Sequence, residues 1–393
     1  MKPKNEKQPK TWRKVKLGEV LELKYGFGLP ETKRKTGRVP VFGSSGIVGA
    51  HNEAAVQSQG IVIGRKGHVG SIHYSNVPFY PIDTVYYVDQ LKIPGDIKFF
   101  YYFLKRMPFQ QIGSDVGVPG LNRDIAYSLE VKIPEDPNIQ KRIADVLSAF
   151  DDKIELNNKI NQTLEQMAQA IFKEWFVKFK FPGHEKAKFI DSELGKIPKG
   201  WEVKQFGDGI ITEVISNGID KFNGEKIYLA TADVDGKEIS NTKTKITYDK
   251  RPSRADMQPI INSMWFAKMI NTYKILFFFD GNKEDLEKFI LSTGFMGIKC
   301  NNGSEFFMYL FISSKKFHSI KDTLVQGAVQ EALTLGNIKR VKILIPSKEV
   351  LLRFNEIIKP MFGKIYKNRL ENQKLASLRD LLLPKLMSGE IRV

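Results

Sequence analysis

The chain has 393 residues and a formal net charge of +17, from 61 Lys and Arg against 44 Asp and Glu. This length has room for two or three domains, and the charge favours a polyanion such as nucleic acid as partner over a generally basic protein. A single cysteine, Cys300, excludes an intramolecular disulfide and a cysteine-based metal site. No apolar run approaches the ~20 residues that span a bilayer, and no signal-type apolar core follows the basic N-terminus. We therefore expect a cytoplasmic protein without a membrane segment.

The first half of the chain predicts a domain of strands and short helices. After an extended N-terminal arm, apolar and β-branched runs predict strands at Ile61–Ile63, Ser71–His73 and Val85–Val88. Asp96, a favourable N-cap residue, opens an aromatic helical run that extends to Met107. A strand ends the half at Pro134, after a loop that contains Gly113, Gly117 and Gly120.

The segment from Ile139 to about Phe179 predicts one long helix. It contains no Gly or Pro, and its apolar residues recur at steps of three and four. At 1.5 Å per residue it would be about 60 Å long. Two asparagines lie on the apolar stripe, where polar residues cost stability but fix register and partner. The predicted seam is Ile143, Val146, Phe150, Ile154, Asn157, Asn161, Leu164 and Ile171, with Met167 and Trp175 on the same stripe.

The second half predicts a similar order of elements. A polar segment from Phe181 to Gly200 predicts a linker, and strand candidates follow at Ile227–Leu229, Ile260–Met269 and Lys274–Phe279. Ser304 opens a second aromatic helical run, and another strand ends at Pro346. The segment from Val350 to Met387 predicts a second long helix, a partner for the first. Its seam is Phe354, Ile358, Ile365, Leu375, Leu378 and Leu382.

An internal duplication organises the chain. Pro9–Trp12 returns as Pro198–Trp201, 189 positions later, whereas the strands that end at Pro134 and Pro346 are 212 positions apart. The separation between equivalent segments of the two halves therefore increases in the middle of the half and is constant near each edge. This pattern predicts an α+β chain made of two copies of a mixed α/β domain, each followed by a long helix.

A search for catalytic motifs finds little. The chain has no Gly-x4-Gly-Lys-Ser/Thr loop, which excludes a P-loop motor ATPase. Val41–Gly46 faintly resembles a methyltransferase cofactor loop, but the chain contains no Pro-Pro dipeptide. Asp83 with Glu130–Lys132 permits a nuclease interpretation, although acid-x-Lys triplets are common in a Lys-rich chain. His68 and His73 are too isolated to predict a metal site.

Basic segments in the divergent centre of each half are the DNA-binding candidates. The glycines of Gly64–Gly70 fit either a backbone nest for phosphate or a tight hairpin, and both alternatives stay open. Aromatic runs at Phe99–Phe103 and Phe277–Phe279 favour core packing over base stacking. The basic runs are either solvated loops or contacts to phosphates and guanines. The candidates are Lys33, Arg34, Lys35, Arg38, Arg65, Lys66, Lys243, Lys245, Lys250, Arg251 and Arg254.

The whole chain resembles the specificity subunit of a type I restriction–modification system. The resemblance rests on the repeated Pro-Lys-x-Trp segments, the Ile-Pro strand ends, the two long helices and the run Leu381–Ile391. It implies two target-recognition domains at 1–137 and 181–348. It further implies that the helices at 138–180 and 349–393 pair antiparallel as a coiled-coil spacer with pseudo-twofold symmetry.

The same resemblance implies the partners and the chemistry. We expect the chain to bind double-stranded DNA at a bipartite, asymmetric target and to be non-catalytic, without a metal or cofactor of its own. Two methyltransferase subunits and a restriction or motor subunit would supply S-adenosylmethionine, ATP and Mg²⁺ chemistry. Alternatives are a helical scaffold with incidental charge, a divergent methyltransferase or nuclease, and an RNA-binding module.

Overall fold

The computed structural model describes residues 12–112, 120–326 and 332–393. Pro9–Thr11, Gly113 and Gly117 of the predicted motifs lie outside the described residues. The chain divides into two compact units, one formed by residues 1–156 and 371–393 and the other by residues 157–370. Each unit thus contains part of both long helices. The four-segment division deduced from the sequence stays a prediction.

The first unit consists mainly of short strands. Its elements before the first long helix are β1 (Trp12–Lys16), α1 (Leu17–Val20), β2 (Lys24–Tyr25), β3 (Val39–Gly43), β4 (Gly46–His51), β5 (Gly60–Gly64), β6 (Ile72–Ser75), β7 (Tyr80–Pro81), β8 (Val85–Val88), α2 (Ile97–Leu104), α3 (Arg123–Ser128) and β9 (Glu130–Pro134). The long helix α4 (Pro137–Phe172) follows, and a π-helical turn continues it at Lys173–Val177.

The second unit contains more strands. Its elements are β10 (Phe189–Ser192), β11 (Gly195–Pro198), β12 (Glu202–Gln205), β13 (Thr212–Ile215), β14 (Lys226–Leu229), β15 (Val234–Asp235), β16 (Glu238–Ile239), β17 (Lys245–Ile246), β18 (Ala255–Met257), β19 (Ser263–Ala267), β20 (Ile275–Phe278), β21 (Phe289–Ser292), β22 (Phe295–Cys300), α5 (Glu305–Ile312), α6 (Lys315–Val325), α7 (Leu335–Ile338) and β23 (Lys342–Ile345). The last helix is α8 (Lys348–Ser388).

A four-stranded antiparallel sheet lies at the centre of the first unit. Its strand order is β2-β8-β5-β6, and α2 packs on β5 and β6. A smaller sheet has the order β4-β3-β7, and β1 pairs with β9 from Trp12↔Pro134 to Lys16↔Glu130. The predicted N-cap is confirmed, because the Asp96 carboxylate accepts the backbone N–H of Phe99 at 2.7 Å. The aromatic side chains of α2 are buried and form part of the core.

The second unit repeats this arrangement and adds to it. Its central sheet has the order β13-β22-β19-β20, and β12 pairs with β23 as β1 does with β9. A second sheet of order β17-β14-β21-β18 is the main addition. Ser304 precedes α5 as predicted, but its hydroxyl does not cap the helix. It donates to the carbonyl oxygen of Ile211 at 2.7 Å instead, which anchors the loop before β13.

The predicted linker from Phe181 to Gly200 contains regular structure. It forms the hairpin β10–β11, with Phe189 opposite Pro198. Phe181 and Ile197 are buried because they pack near Trp201, whose ring centroid is 5.1 Å from that of Phe181. The linker prediction was therefore wrong, since the polar composition of the segment concealed two apolar anchors, Phe181 and Ile197.

The tryptophan that begins each half packs on the end of a long helix. In the first unit, a Cβ added to Gly389 at the end of α8 would be 3.1 Å from the Trp12 indole. In the second unit, the ring centroid of Trp201 lies 5.9 Å from that of Phe176, a residue of the π-helical turn that ends the first long helix. Trp12 and Trp201, the last residues of the duplicated segments, thus occupy equivalent places in their units.

The two long helices pair antiparallel within each unit. In the first unit, the Asp151 carboxylate of α4 accepts hydrogen bonds from Arg379 of α8 and, at 2.6 Å, from the Tyr102 hydroxyl of α2. In the second unit, the Asn368 amide donates to Asn161 Oδ1 at 2.8 Å. The ring centroids of Trp175 and Phe354 are 5.6 Å apart. The later residue of the first long helix thus contacts the earlier residue of α8, which shows that the two helices run in opposite directions.

The buried face of these helices differs in part from the predicted seam. Ile143, Asn157, Phe354, Ile358 and Ile365 are buried, and Phe150, Ile154, Asn161, Leu164, Ile171, Leu375 and Leu382 are partly exposed. Val146, Met167 and Leu378 are 36%, 47% and 48% exposed and do not belong to the seam. The helices also pack on the domains, so the buried face is wider than a two-helix stripe. It includes Ala144, Leu147 and Ala168.

Candidate nucleic-acid interface

Each central sheet presents a hairpin loop that carries at least one basic residue. In the first unit this loop joins β5 to β6 and comprises Arg65–Gly70, and we call it the first hairpin loop. In the second unit it joins β19 to β20 and comprises Lys268–Tyr273, and we call it the second hairpin loop. The first loop contains two of the predicted DNA-binding residues, Arg65 and Lys66, and the second contains none.

The backbone of the first hairpin loop is held by internal hydrogen bonds. The N–H groups of Arg65 and Lys66 donate to the carbonyl oxygen of Thr84 at 3.0 and 3.1 Å, and that of Gly70 donates to Gly64 at 2.9 Å. These donors are therefore not directed at an anion. Gly67 and Gly70 have φ of +74° and +76°, which only glycine adopts readily. The hairpin alternative accounts for the glycines.

Arg65 is part of an arginine–tyrosine cluster that also contains Arg123 and Tyr25. The Arg65 guanidinium lies 5.3 Å from the Tyr25 ring and donates to the Asp83 carbonyl oxygen at 2.6 Å. The Arg123 guanidinium lies 5.2 Å from the same ring. Tyr25 is 51% exposed, so two cations flank an accessible aromatic face. Burial, together with the neighbouring Tyr25 hydroxyl, raises the pKa of Tyr86 beneath this cluster to about 12.

The first predicted basic run lies along the β3–β4 hairpin. Lys33, Lys35 and Arg38 are exposed, whereas Arg34 is partly buried and donates from Nη1 to the Val48 carbonyl oxygen at 2.8 Å. The turn of the same hairpin contacts the first hairpin loop, because Ser44 Oγ accepts the N–H of His68 at 3.4 Å. The basic run and the first hairpin loop therefore both contact the β3–β4 hairpin.

The second predicted basic run does not form one surface. Lys243, Lys245, Lys250 and Arg254 are exposed, but Lys245 is ion-paired with Glu225 at 3.0 Å. The Arg251 guanidinium lies over the Tyr248 ring at 4.4 Å. Strand order β17-β14-β21-β18 places Lys245 and the segment after Arg254 at opposite edges of the sheet. The sheet therefore separates residues that are close in sequence, and their contact with DNA stays a prediction.

Arg254 instead lies near the second hairpin loop, and Gly294 links the two. The Lys268 N–H donates to the Gly294 carbonyl oxygen at 3.0 Å, and a Cβ added to Gly294 would be 3.2 Å from Arg254 Nη2. Burial lowers the pKa of Lys268, the first residue of that loop, and the nearby positive charge of Arg254 lowers it further. Lys274, at the other end of the loop, donates to the Thr231 carbonyl oxygen at 2.8 Å. The side-chain charges of Lys268 and Arg254 thus lie close together, an arrangement that favours binding of an anion such as a DNA phosphate.

A buried lysine and an aspartate hold the second hairpin loop from below. Lys321 is 2% exposed, and its ammonium donates to the carbonyl oxygens of Met269 at 2.6 Å and Thr272 at 2.8 Å. Asp322 accepts the Asn271 N–H at 3.1 Å and the Tyr273 hydroxyl at 2.6 Å. Burial opposes ionisation of Asp322, but these bonds and the Lys321 charge lower its pKa overall. Burial lowers the pKa of Lys321.

Five residues of these surfaces were not among the predicted candidates: Tyr25, Arg123, Lys268, Asn271 and Lys321. Tyr25 and Arg123 are about a hundred positions apart, and nothing in their local sequences links them. Lys321 lies on the amphipathic helix α6, where a lysine usually faces solvent. The only available signal was at Asn271, since asparagine is favoured at turn positions with positive φ, and its φ is +53°.

The described part of the chain offers no metal centre and no membrane-spanning helix. Within the described ranges, no group of three or more His, Cys, Asp or Glu side chains is placed to hold a metal ion. His68 is exposed, and burial lowers the pKa of His73, whose Nε2 lies 3.3 Å from the Ser44 carbonyl oxygen. Among the helices that the structure describes, none has the length and apolar character to cross a membrane.

Comparisons with known proteins show what the chain is similar to. The family model of the type I restriction modification DNA specificity domain matches residues 9–166. The type I restriction enzyme MjaIX specificity subunit of Methanocaldococcus jannaschii is 27% identical, with 98% of this chain and 95% of that protein covered. The type I restriction enzyme HindI specificity subunit of Haemophilus influenzae is 26% identical, with 70% and 71% covered.

The fold agrees with a solved structure of this kind. The crystal structure of a type I restriction–modification system S subunit from M. genitalium superposes with a TM-score of 0.58 at 18% identity, covering 98% of this chain and 97% of that one. The α+β architecture predicted from the sequence is thereby confirmed. Over nearly its whole length, the chain is thus similar to specificity subunits of type I restriction–modification systems.

Proposed function

We propose that this chain reads a bipartite, asymmetric target in double-stranded DNA, one half-site with each unit. One observation carries the proposal: equivalent central sheets present hairpin loops of different chemistry. The first loop reads Arg-Lys-Gly-His-Val-Gly and the second Lys-Met-Ile-Asn-Thr-Tyr. A duplicated frame with unlike loops fits two unlike half-sites better than a palindrome, because a palindrome requires the same contacts twice.

The paired helices set the gap between the half-sites in this proposal. Helix α4 has 36 residues and α8 has 41, which at 1.5 Å per residue correspond to about 54 and 62 Å. A turn of B-DNA recurs about every 34 Å, so helices of this length suit half-sites about one turn apart. The hydrogen bond between Asn161 and the buried Asn368 supports a defined register, since a slip would take the acceptor away from the Asn368 amide.

Catalysis belongs to partner subunits in this proposal. Two methyltransferase subunits would carry S-adenosylmethionine, and a restriction or motor subunit would use ATP and Mg²⁺. The duplicated ribbons β1–β9 and β12–β23, each beside a tryptophan on a helix end, support two equivalent docking surfaces. This frame is similar in both units, whereas the loops differ, as expected if partners bind the frame and DNA binds the loops.

A single-molecule map of adenine methylation in the host genome tests the reading function. Maps of strains with the gene intact and deleted should differ by one motif with two specified parts and a non-specific gap. A gene-dependent motif without a gap, or a palindromic one, would contradict the bipartite proposal. For a silent system, the assay is repeated with the purified complex on a plasmid library.

Lengthening both helices tests their role as a spacer. One heptad is inserted after Leu156 in α4 and another before Glu371 in α8, so that the pairing of the helices is kept. The gap in the methylated motif should change while both half-sites stay the same. As the matched control, replacement of residues 16–134 by the domain of a relative should change one half-site and leave the gap. A change of half-site sequence on insertion would refute the spacer role.

A further inference from the structure

The two hairpin loops occupy the same position in their units. The first is closed by the Gly64 N–H, which donates to the Ser71 carbonyl oxygen at 2.8 Å. The second is closed by the Ala267 N–H, which donates to Lys274 at 3.0 Å. The registers of β5 with β6 and of β19 with β20 leave six residues between the closing pairs in both units. Insertions elsewhere in the second unit hide this equivalence in the sequence.

Both loops are also bound to the same later segment of their unit. The Leu121 N–H donates to the Arg65 carbonyl oxygen at 2.9 Å, and the Leu333 N–H donates to Lys268 at 2.9 Å. Beside each of these bonds, the next loop residue forms an isolated antiparallel bridge with the same later segment: Lys66 with Gly120, and Met269 with Ala332. Each loop is therefore attached on both sides and cannot move independently of its sheet.

The side chains that the loops expose are different. Lys66 and His68 are exposed in the first loop, and Met269, Asn271 and Tyr273 in the second. The Asn271 amide has no hydrogen-bond partner among the described residues, so its donor and acceptor remain available to a ligand. Loops of equal length that are closed and attached at equivalent positions, but expose different polar groups, are what two readers of different sequences require.

The anchor of the second loop indicates preorganisation. Burying an ammonium costs several kcal/mol unless its hydrogen bonds are satisfied. Lys321 is buried, and its ammonium donates to two loop carbonyls. Asp322 fixes the backbone of Asn271 in the same way. A loop ordered before binding loses less entropy on binding, which favours tight and specific recognition.

We propose that the two hairpin loops are the base-reading elements, with Lys66 reading one half-site and Asn271 the other in the major groove. The inference rests on the proposed function and names the residues that carry it out. A lysine recognises the N7 and O6 acceptors of guanine, and an asparagine pairs bidentately with the N7 and N6 of adenine. Arg65, with Arg123, and Lys268, with Arg254, lie beside these readers as phosphate contacts.

Substitution of Asn271 by glycine isolates the reading group. Glycine accepts the φ of +53°, so Asn271→Gly removes the amide and keeps the loop backbone. In the complete methyltransferase complex, we expect one base pair of one half-site to lose about 10- to 100-fold of its discrimination, the usual worth of a bidentate contact. Asn262→Gly is the matched control, since Asn262 also has φ of +53° and precedes the same strand β19.

Lys66→Ala makes the corresponding test in the first loop. It should relax one position of the other half-site, whereas Lys14→Ala, with the same charge change on β1, should relax none. Discrimination is measured by methylation of, and binding to, targets that carry each single-base change. The inference fails if both loop variants keep the wild-type preference at every position, or weaken all positions equally. The proposed function fails separately, if the wild-type complex shows no bipartite motif.

Discussion

Replacing the buried Lys321 by methionine should destabilise the second unit and loosen its hairpin loop. Methionine has a similar length, so the change removes the ammonium without opening a large cavity. The carbonyl oxygens of Met269 and Thr272 lose their donor. Asp322 loses a positive charge that lies 3.5 Å away.

The expected magnitude follows from these contacts. A hydrogen bond from a charged donor contributes about 1.5–3 kcal/mol, and two are lost. Methionine avoids the cost of burying an ammonium, which offsets part of that loss. We therefore expect Lys321→Met to lower the free energy of unfolding by about 2–4 kcal/mol. At about 2–4 °C per kcal/mol for a domain of this size, the melting temperature falls by roughly 5–15 °C.

Thermal melting and amide hydrogen exchange measure the two effects. The amides of Ala267 and Leu333 bond within and to the loop, so they should exchange faster in the variant. Lys316→Met is the matched control, because Lys316 is exposed on the same helix. A variant with wild-type melting and wild-type exchange at both amides would refute the idea that Lys321 holds the loop.

Three further predictions concern other contacts. Tyr102→Phe removes the donor to Asp151 and should cost about 1–2 kcal/mol in denaturant unfolding, whereas an unchanged midpoint would show that this bond is not stabilising. Because the pKa of Asp322 is held below its ordinary 3.8, its ionised form stabilises the fold above that pH and the stabilisation is lost as the pH falls through the lowered pKa. Asp322→Asn should therefore flatten the acid side of the stability curve, and a curve parallel to the wild type would contradict this. Arg254→Ala should reduce the slope of log affinity for DNA against log salt by about 1, and an unchanged slope would exclude a phosphate contact.

Local patterns predicted both long helices and some of the strands, but not the central-sheet strands β2, β13 and β22. The strands at Ile61–Ile63 and Val85–Val88 and the long helices were evident because burial on one or both faces imposes a period on the sequence. The predicted linker failed because a short hairpin with few apolar anchors has a composition like that of a loop. The seam residues Val146 and Leu378 failed because periodicity gives the spacing of a stripe but not its width.

The candidate site was predictable only in part. A basic loop at Arg65 and Lys66 is visible in the sequence because glycines and charges are adjacent there. Its counterpart at Lys268–Tyr273 has a single basic residue and no glycine, so composition gives it no prominence. The equivalence of the two loops emerges from strand register, which insertions between the repeats leave intact.

The sequence by itself determined the duplicated plan, the two long helices and the absence of familiar catalytic motifs, since these depend on residues that are close along the chain. Tertiary structure alone decided which charges act together. It separated Lys245 from Arg254, placed Arg254 beside Lys268, and joined Tyr25 to Arg123. Electrostatic and hydrogen-bonding energies depend on distance in space and on burial, and neither is determined by separation along the chain.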